Sequence, residues 1–411
     1  MQGESREDFS PRDLTRGFFS LRRRSSDSAL EAWYAGVFPG FIEQCRDLIV
    51  EEAGAGNVKG LILSGSFASR EGSIVLLDGN PVFLSDIDLL LIVPTLASHS
   101  EVYPGRSIIG KACEDLLPDA RFEGRIDVGV VTEGELSGMP LSPGIFDMRE
   151  RGVLLYGGKE ILDRFPSFGP EDIGIVEALR LLENRMAAFL GDRPLTDMPE
   201  GKDLYRFLNG VSRVYTDIVT ASLCAARLYR PGYAARGEFF TGSPECTEVR
   251  GELGESLTGD AVRWTGFKTD PGADRAWTGE ESAWQMWLEA AGNLLAVRDR
   301  ISMMDHGRAS RVGISNIDLL RAWKTAVDGI PVIGRMRLIA GSLFSRQEPV
   351  GYIRERSVGL IRHAAEKGTG GIVASAPGGY PHLRTSWEKA ASRTSAEWRR
   401  LVAGREEESL E

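Results

Sequence analysis

The most constraining stretch of this sequence is Ser85-Asp86-Ile87-Asp88-Leu89-Leu90-Leu91-Ile92-Val93, where two carboxylates lead directly into an apolar run. A run that dense reads as a central strand covered on both faces. Strand geometry then sets Asp86 and Asp88 on one face, their Cα atoms about 7 Å apart. Like charges placed where a chain turns hydrophobic raise each other's pKa or destabilise the fold unless a cation intervenes. A hard divalent ion with oxygen ligands is the natural compensation.

A third acid stands in Arg125-Ile126-Asp127-Val128-Gly129-Val130-Val131, the lone carboxylate of its strand. Ile126, Val128 and Val130 share one face and Asp127 points to the other. If this strand lies beside 87–93, three carboxylates converge at one sheet edge, enough for two Mg²⁺ ions about 3.5–4 Å apart. Upstream, the apolar run from Val58 to Leu63 ends in Ser64-Gly65-Ser66. A glycine there lets backbone N–H groups approach a phosphate and a serine adds a hydroxyl, although Gly-Ser after a strand is by itself ordinary turn chemistry.

The elements around these residues are predicted as follows. Residues 29–52 suit a helix interrupted at Gly36 and Pro39-Gly40, and 58–63 form the first core strand. Asp78-Gly79-Asn80-Pro81 turns a small hairpin within 70–84. Residues 107–117 are helical and 121–131 form the third strand. Beyond Ser142, Ile173, Val176, Leu179, Leu182, Met186 and Phe189 recur at helical spacing. Further helices are predicted over 204–229, 281–304 and 316–326, with connectors at 231–254 and 266–279. Helical spacing continues over 334–366, residues 368–381 read as a loop, and a last helix covers 386–402. The fold class is α+β: a flexible tail over 1–28, a catalytic domain with a small mixed sheet over 29–157, a mainly α-helical domain over 158–366, and a loop with a C-terminal helix over 367–411.

Composition narrows the function. With 49 Lys and Arg against 59 Asp and Glu, the net charge of -10 disfavours long nucleic acids as partners. Cys45, Cys113, Cys224 and Cys246 are far apart and read as buried thiols. The N-terminus lacks the apolar core of a secretory signal and no segment has the length of a membrane span, so a cytoplasmic protein is expected. His99, His306, His363 and His382 are isolated, and neither a P-loop nor a dinucleotide-binding glycine motif is present. Arg236 reads more readily as part of a helix-ending turn than as a ligand contact.

Taken in order, LILSGSFASREGS, LSDIDLLLIV and RIDVGVV resemble the polymerase-β-like nucleotidyltransferase superfamily, in which a Gly-Ser turn precedes an Asp-x-Asp strand and a later single Asp. The match covers roughly residues 58–131. The resemblance implies that Gly65 and Ser66 hold a triphosphate, that Asp86 and Asp88 bind two Mg²⁺ ions (Mn²⁺ substituting), and that Asp127 binds the second metal and helps deprotonate the attacking hydroxyl. Two departures stand out. Small members read Gly-Ser-x-Ala-Arg-Gly, whereas Arg70 comes one place later here, and the stretch between Gly65 and Asp86 is longer, which the hairpin absorbs. Met148 to Gly157 looks like the segment that closes the catalytic domain in this superfamily. The implied activity is transfer of a nucleoside monophosphate, AMP from ATP in first place, to a hydroxyl acceptor with release of pyrophosphate. The acidic charge favours a small molecule or protein over RNA as acceptor. The alternative is a non-catalytic nucleotide-binding or toxin-neutralising partner with the same fold.

Overall fold

The computed structural model describes residues 27–271 other than 118, 123, 195 and 197, then 282–305, with short pieces at 357–362, 364, 390–392 and 394–396. The chain divides into two compact units. One comprises Met1–Ile173, Tyr229–Phe239 and Thr265–Gly272, and the other Gly174–Leu228, Phe240–Trp264 and Ala273–Glu411. The first unit thus runs beyond the boundary expected at residue 157 and takes in two later segments.

Helix α1 (Ser28–Ala53) opens the first unit, its N-terminus capped by the Asp27 carboxylate, which accepts from the Ala29 and Leu30 amides. It runs unbroken through Gly36 and Pro39, where the sequence predicts an interruption. A proline inside a helix costs about 3 kcal/mol. Tyr34, Phe38, Phe41, Ile42, Cys45 and Ile49 are all buried along one side of it, however. Each large apolar side chain so buried contributes roughly 1.5–3 kcal/mol, so packing overrides the local break. Phe38 stacks on Phe67 at 5.3 Å, while Phe83 stacks on Phe122 at 4.6 Å.

The main sheet is mixed and has the order β6-β4-β1-β7, from β1 (Gly60–Ser64), β4 (Ile87–Val93), β6 (Ile126–Thr132) and β7 (Val153–Gly157). Strand β1 is antiparallel to β4 and β7, and β4 is parallel to β6. Between β1 and β4 lie the four-residue helix α2 (Gly65–Ala68) and the expected hairpin, β2 (Ile74–Leu77) with β3 (Asn80–Phe83). After β4 come α3 (Leu96–Val102) and α4 (Arg106–Asp115). The stretch 121–131, predicted as one strand, is two. Residues Arg121–Phe122 (β5) pair with β3 in a separate three-stranded sheet, and the chain then crosses to β6. The crossing passes through Gly124, whose amide donates to the Phe83 carbonyl at 2.9 Å and where a Cβ would overlap the backbone of Ser85. The short helix α5 (Pro143–Arg151) leads into β7.

Period-two alternation divides the sheet into two faces. Leu61, Leu63, Ile87, Leu89, Leu91, Ile126, Val128 and Val130 join the larger core with α1 and Ile109 and Cys113 of α4. Ile62, Leu90, Ile92 and Leu154 form a smaller core with Leu136, Ile161 and Phe165. The even positions of β4 put Asp88 on the smaller-core face, and the odd positions of β6 put Asp127 there too.

The second unit is helical. Helix α6 (Ile175–Phe189) packs on α7 (Gly201–Ala225), and α11 (Ala283–Asp305) packs on both. Trp287 stacks on Phe189 at 5.2 Å and donates its indole N–H to the Phe189 carbonyl at 3.2 Å. Arg185 and Asp217 form a buried ion pair at 2.6 Å. The segment expected as a connector over 231–254 proves helical in large part, with α8 (Tyr233–Gly242) and α9 (Thr247–Leu253), and the one expected over 266–279 begins as the end of α10 (Glu255–Thr269), its residues from 272 on lying outside the described ones. Their glycines mask an apolar set, Phe240, Val249 and Phe267, that is buried. The helix expected at 316–326, the loop at 368–381 and the acidic end lie outside the described residues, and helical residues occur at 357–362, 390–392 and 394–396. Among the described residues no helix is long and apolar enough to cross a membrane.

Gly110, inside α4, is where that helix meets β6, since a Cβ there would overlap the Ile126 carbonyl oxygen. Glycine to alanine normally stabilises a helix interior by about 1 kcal/mol. Here Gly110→Ala is expected to reverse sign and cost roughly 1–3 kcal/mol, measurable as a lowered urea midpoint.

Candidate functional site

The site grows from the register of two strands. Asp88 lies directly beside Asp127 across the parallel pair, and Ser64 is opposite Asp88 across the antiparallel one. The end of β1, where the chain enters α2 through Gly65-Ser66, is thereby brought against the β4 carboxylate. Gly65 has φ +67, and a Cβ at that position would fall inside the Asp88 carboxylate. A side chain there would have to displace the Asp88 carboxylate, and the positive φ is one that L side chains rarely adopt, so glycine suits the turn on both counts. Ser66 is buried, and its carbonyl accepts from the Glu71 amide at 2.7 Å.

Asp86 lies just before β4, and its Oδ1 accepts the backbone N–H of Arg125 at 3.1 Å. The Arg125 side chain turns to the neighbouring acid, with Nε 2.5 Å from Asp127 Oδ1. The structure therefore brings Asp86, Asp88 and Asp127 to one end of the sheet, linked by Arg125. Among the described residues, however, no three His, Cys, Asp or Glu side chains close into a cation-holding set. The donor chemistry nevertheless fits magnesium: hard carboxylate oxygens on adjoining strands, at a point where the protein already sets a positive guanidinium against them. Arg70 takes a left-handed backbone conformation, φ 60, and burial lowers the pKa of its guanidinium, with Tyr34 of α1 opposing that effect.

Three further features around this end of the sheet escape motif reading. Lys268 is almost wholly buried, and its ammonium donates to Ser85 Oγ at 2.7 Å, one residue from Asp86. Ser85 Oγ also accepts the Ser73 amide at 2.9 Å, and Ser73 Oγ donates to the Lys268 carbonyl at 2.7 Å. Glu71, buried just after the Gly-Ser turn, accepts the Tyr233 and Ala234 amides at 2.6 and 2.9 Å, so its carboxylate caps the start of α8. Asp147 accepts the Tyr229 hydroxyl at 2.6 Å, and Arg236, buried and 3.5 Å from Asp147, donates to the Tyr229 hydroxyl at 3.0 Å. Arg236 is therefore internal scaffolding. A lone Lys, Glu or Arg far along the chain carries no local signal of such a partner; only the fold brings Tyr229, Tyr233, Arg236 and Lys268 to this end of the unit.

Burial pushes the Glu71 carboxyl above its ordinary value, with the two amides and the arginines Arg151 and Arg236 opposing it. Burial does the same to Asp147 against Arg236 and Tyr229. Comparison with protein-family models, with curated proteins and with solved structures finds no match.

Because the folded pKa of Glu71 is raised, its linkage contribution is present below the unfolded value and lost as pH rises through the folded one. Urea midpoints measured from about pH 4 to about pH 8 should therefore fall more steeply with rising pH in the wild type than in Glu71→Gln, and the difference between the two curves isolates the residue. Gly65→Ala, which combines positive φ with displacement of Asp88, is expected to lower stability by about 1–2 kcal/mol, whereas the same change at exposed Gly79, also at positive φ but with open space around it, leaves the carboxylate end untouched.

Proposed function

We propose that this protein is a nucleotidyltransferase of the polymerase-β-like kind, moving a nucleoside monophosphate, AMP from ATP in first place, onto a hydroxyl acceptor. The observation that carries the proposal is the in-register pairing of Asp88 with Asp127, beside a turn at Gly65 whose positive φ favours glycine and where a Cβ would push on the Asp88 carboxylate. Adjacent carboxylates on a shared face are costly without a cation, and a phosphate-sized approach to the backbone is what the glycine permits.

In this scheme the acceptor oxygen attacks the α-phosphorus. The new O–P bond forms as the bond to the pyrophosphate oxygen breaks, and the acceptor proton passes to the Asp127 carboxylate. Asp86, Asp88 and Asp127 would hold the magnesium ions, whose charge when bound offsets that of the triphosphate and favours the acceptor alkoxide. The Gly65-Ser66 turn would bind the β- and γ-phosphates through backbone N–H groups and the serine hydroxyl. Lys268, fixed on Ser85, adds a positive charge next to Asp86. Glu71 holds α8 against the turn and so fixes its geometry. The net charge of -10 favours a small molecule or a protein as acceptor.

Incubation with each α-³²P-labelled nucleoside triphosphate and Mg²⁺ or Mn²⁺, alone and with cell lysate, tests the proposal. Metal-dependent label transfer with pyrophosphate release is expected, and Asp88→Asn or Asp127→Asn should reduce it by about 10³-fold or more with unchanged far-ultraviolet circular dichroism. Retained transfer in either variant overturns the mechanism. Binding of nucleotide without transfer under every condition selects the non-catalytic binding protein instead.

A further inference from the structure

The acidic centre contains its own cation. Arg125 is tied to it twice, by the backbone amide that Asp86 Oδ1 accepts at 3.1 Å and by the Nε that stands 2.5 Å from Asp127 Oδ1. Its side chain is about four-fifths withdrawn from solvent, with 22% exposure, while that of Asp127 is 39% exposed. The backbone there is fixed: Gly124 is wedged against Ser85, the Arg125 carbonyl accepts the Ile87 amide at 2.8 Å, and Ile126 N donates to Glu114 Oε1 at 3.2 Å. The root of the guanidinium is thus anchored beside the carboxylates, and its head could reach a phosphate by a change of side-chain rotamer alone. A guanidinium on Asp127 competes directly with a divalent ion for the same oxygens. It is also the side chain best suited to pair with a phosphate.

Building on the proposed nucleotidyl transfer, we propose that Arg125 is an exchangeable counter-cation. It occupies the carboxylate centre in the nucleotide-free protein and moves onto the incoming triphosphate, so that divalent ions and nucleotide enter together. Two consequences follow from charge alone. Without nucleotide, Arg125 screens Asp127 and keeps the affinity for divalent ions low. With nucleotide, the phosphates supply the guanidinium with a new partner, and the carboxylates are released to the ions.

The test is direct titration of the full-length protein with Mn²⁺ alone, followed by the electron paramagnetic resonance signal of free Mn²⁺, in the wild type, Arg125→Gln, Arg125→Lys and Asp88→Asn/Asp127→Asn. Without nucleotide, Arg125→Gln is expected to bind Mn²⁺ about tenfold more tightly than the wild type, the scale of removing one positive charge at ion-pair distance. Arg125→Lys, which keeps the charge, should stay near the wild type, and the double Asp variant should not bind. A second arm measures ATP binding without metal, where Arg125→Gln should weaken affinity. Should Arg125→Gln fail to fold, Arg125→Lys carries this arm: loss of the planar fork should weaken ATP binding while leaving Mn²⁺ binding low. Equal Mn²⁺ affinity in wild type and Arg125→Gln, abolished by the Asp variant, overturns the exchange but leaves the nucleotidyltransferase proposal standing. So does ATP binding indifferent to residue 125. Failure of every form to bind Mn²⁺ or ATP overturns both.

Discussion

Asp88 and Asp127 are brought side by side by the parallel pairing of β4 with β6, and the rest of the first unit is arranged so that this juxtaposition can persist. Seven consecutive register pairs, from Ile87 with Ile126 to Val93 with Thr132, make any slip expensive. A one-residue shift would turn Ile126, Val128 and Val130 out of the larger core. The hydrophobic alternation that stabilises the sheet is therefore the same constraint that holds two negative charges together. The fold resists their repulsion with burial on both faces and, at the mouth of the sheet, with the Arg125 guanidinium.

Several polar groups around that pair are held by defined partners. Ser85 joins the Ser73 amide to the Lys268 ammonium, so the approach to Asp86 is braced by a residue far along the chain. Glu71 does the equivalent for the Gly-Ser turn, spending a costly buried carboxylate on the start of α8. A buried carboxylate with two amide donors positions backbone better than it stabilises, because desolvation offsets much of what the hydrogen bonds return. Placing such groups just after the Gly-Ser turn and on Ser85 beside Asp86 favours a fixed geometry over maximal stability.

Local rules failed in two places, and both failures have the same cause. Helix α1 runs through Pro39 because its aromatic face is committed to Phe67 and Phe83. The glycine-rich residues 233–242 and 247–253 fold as helices because Phe240 and Val249 find burial. In both, tertiary packing worth several side-chain burials exceeds a local penalty of about 1–3 kcal/mol. The break between β5 and β6 is of another kind: Arg121 to Val131 has continuous strand character, and only the close passage of Gly124 over Ser85 shows that the chain changes sheets there.

What the sequence by itself determined is β1, the β2–β3 hairpin, β4 and the β6 part of 121–131, with the faces that Asp88 and Asp127 take, because a side chain's side of a strand follows from parity alone. It also determined the Gly-Ser turn at the end of β1, because an apolar run that stops at Gly-Ser has few other ways to end. Tertiary structure alone decided that β4 and β6 are neighbours in register, and that Gly65 is needed for its lack of volume against Asp88. It also decided that Arg125, Glu71 and Lys268 serve this end of the sheet. These depend on contacts between residues up to 195 positions apart, such as Ser73 with Lys268. Neither periodicity nor local spacing encodes such separations; the closing of one shared core does.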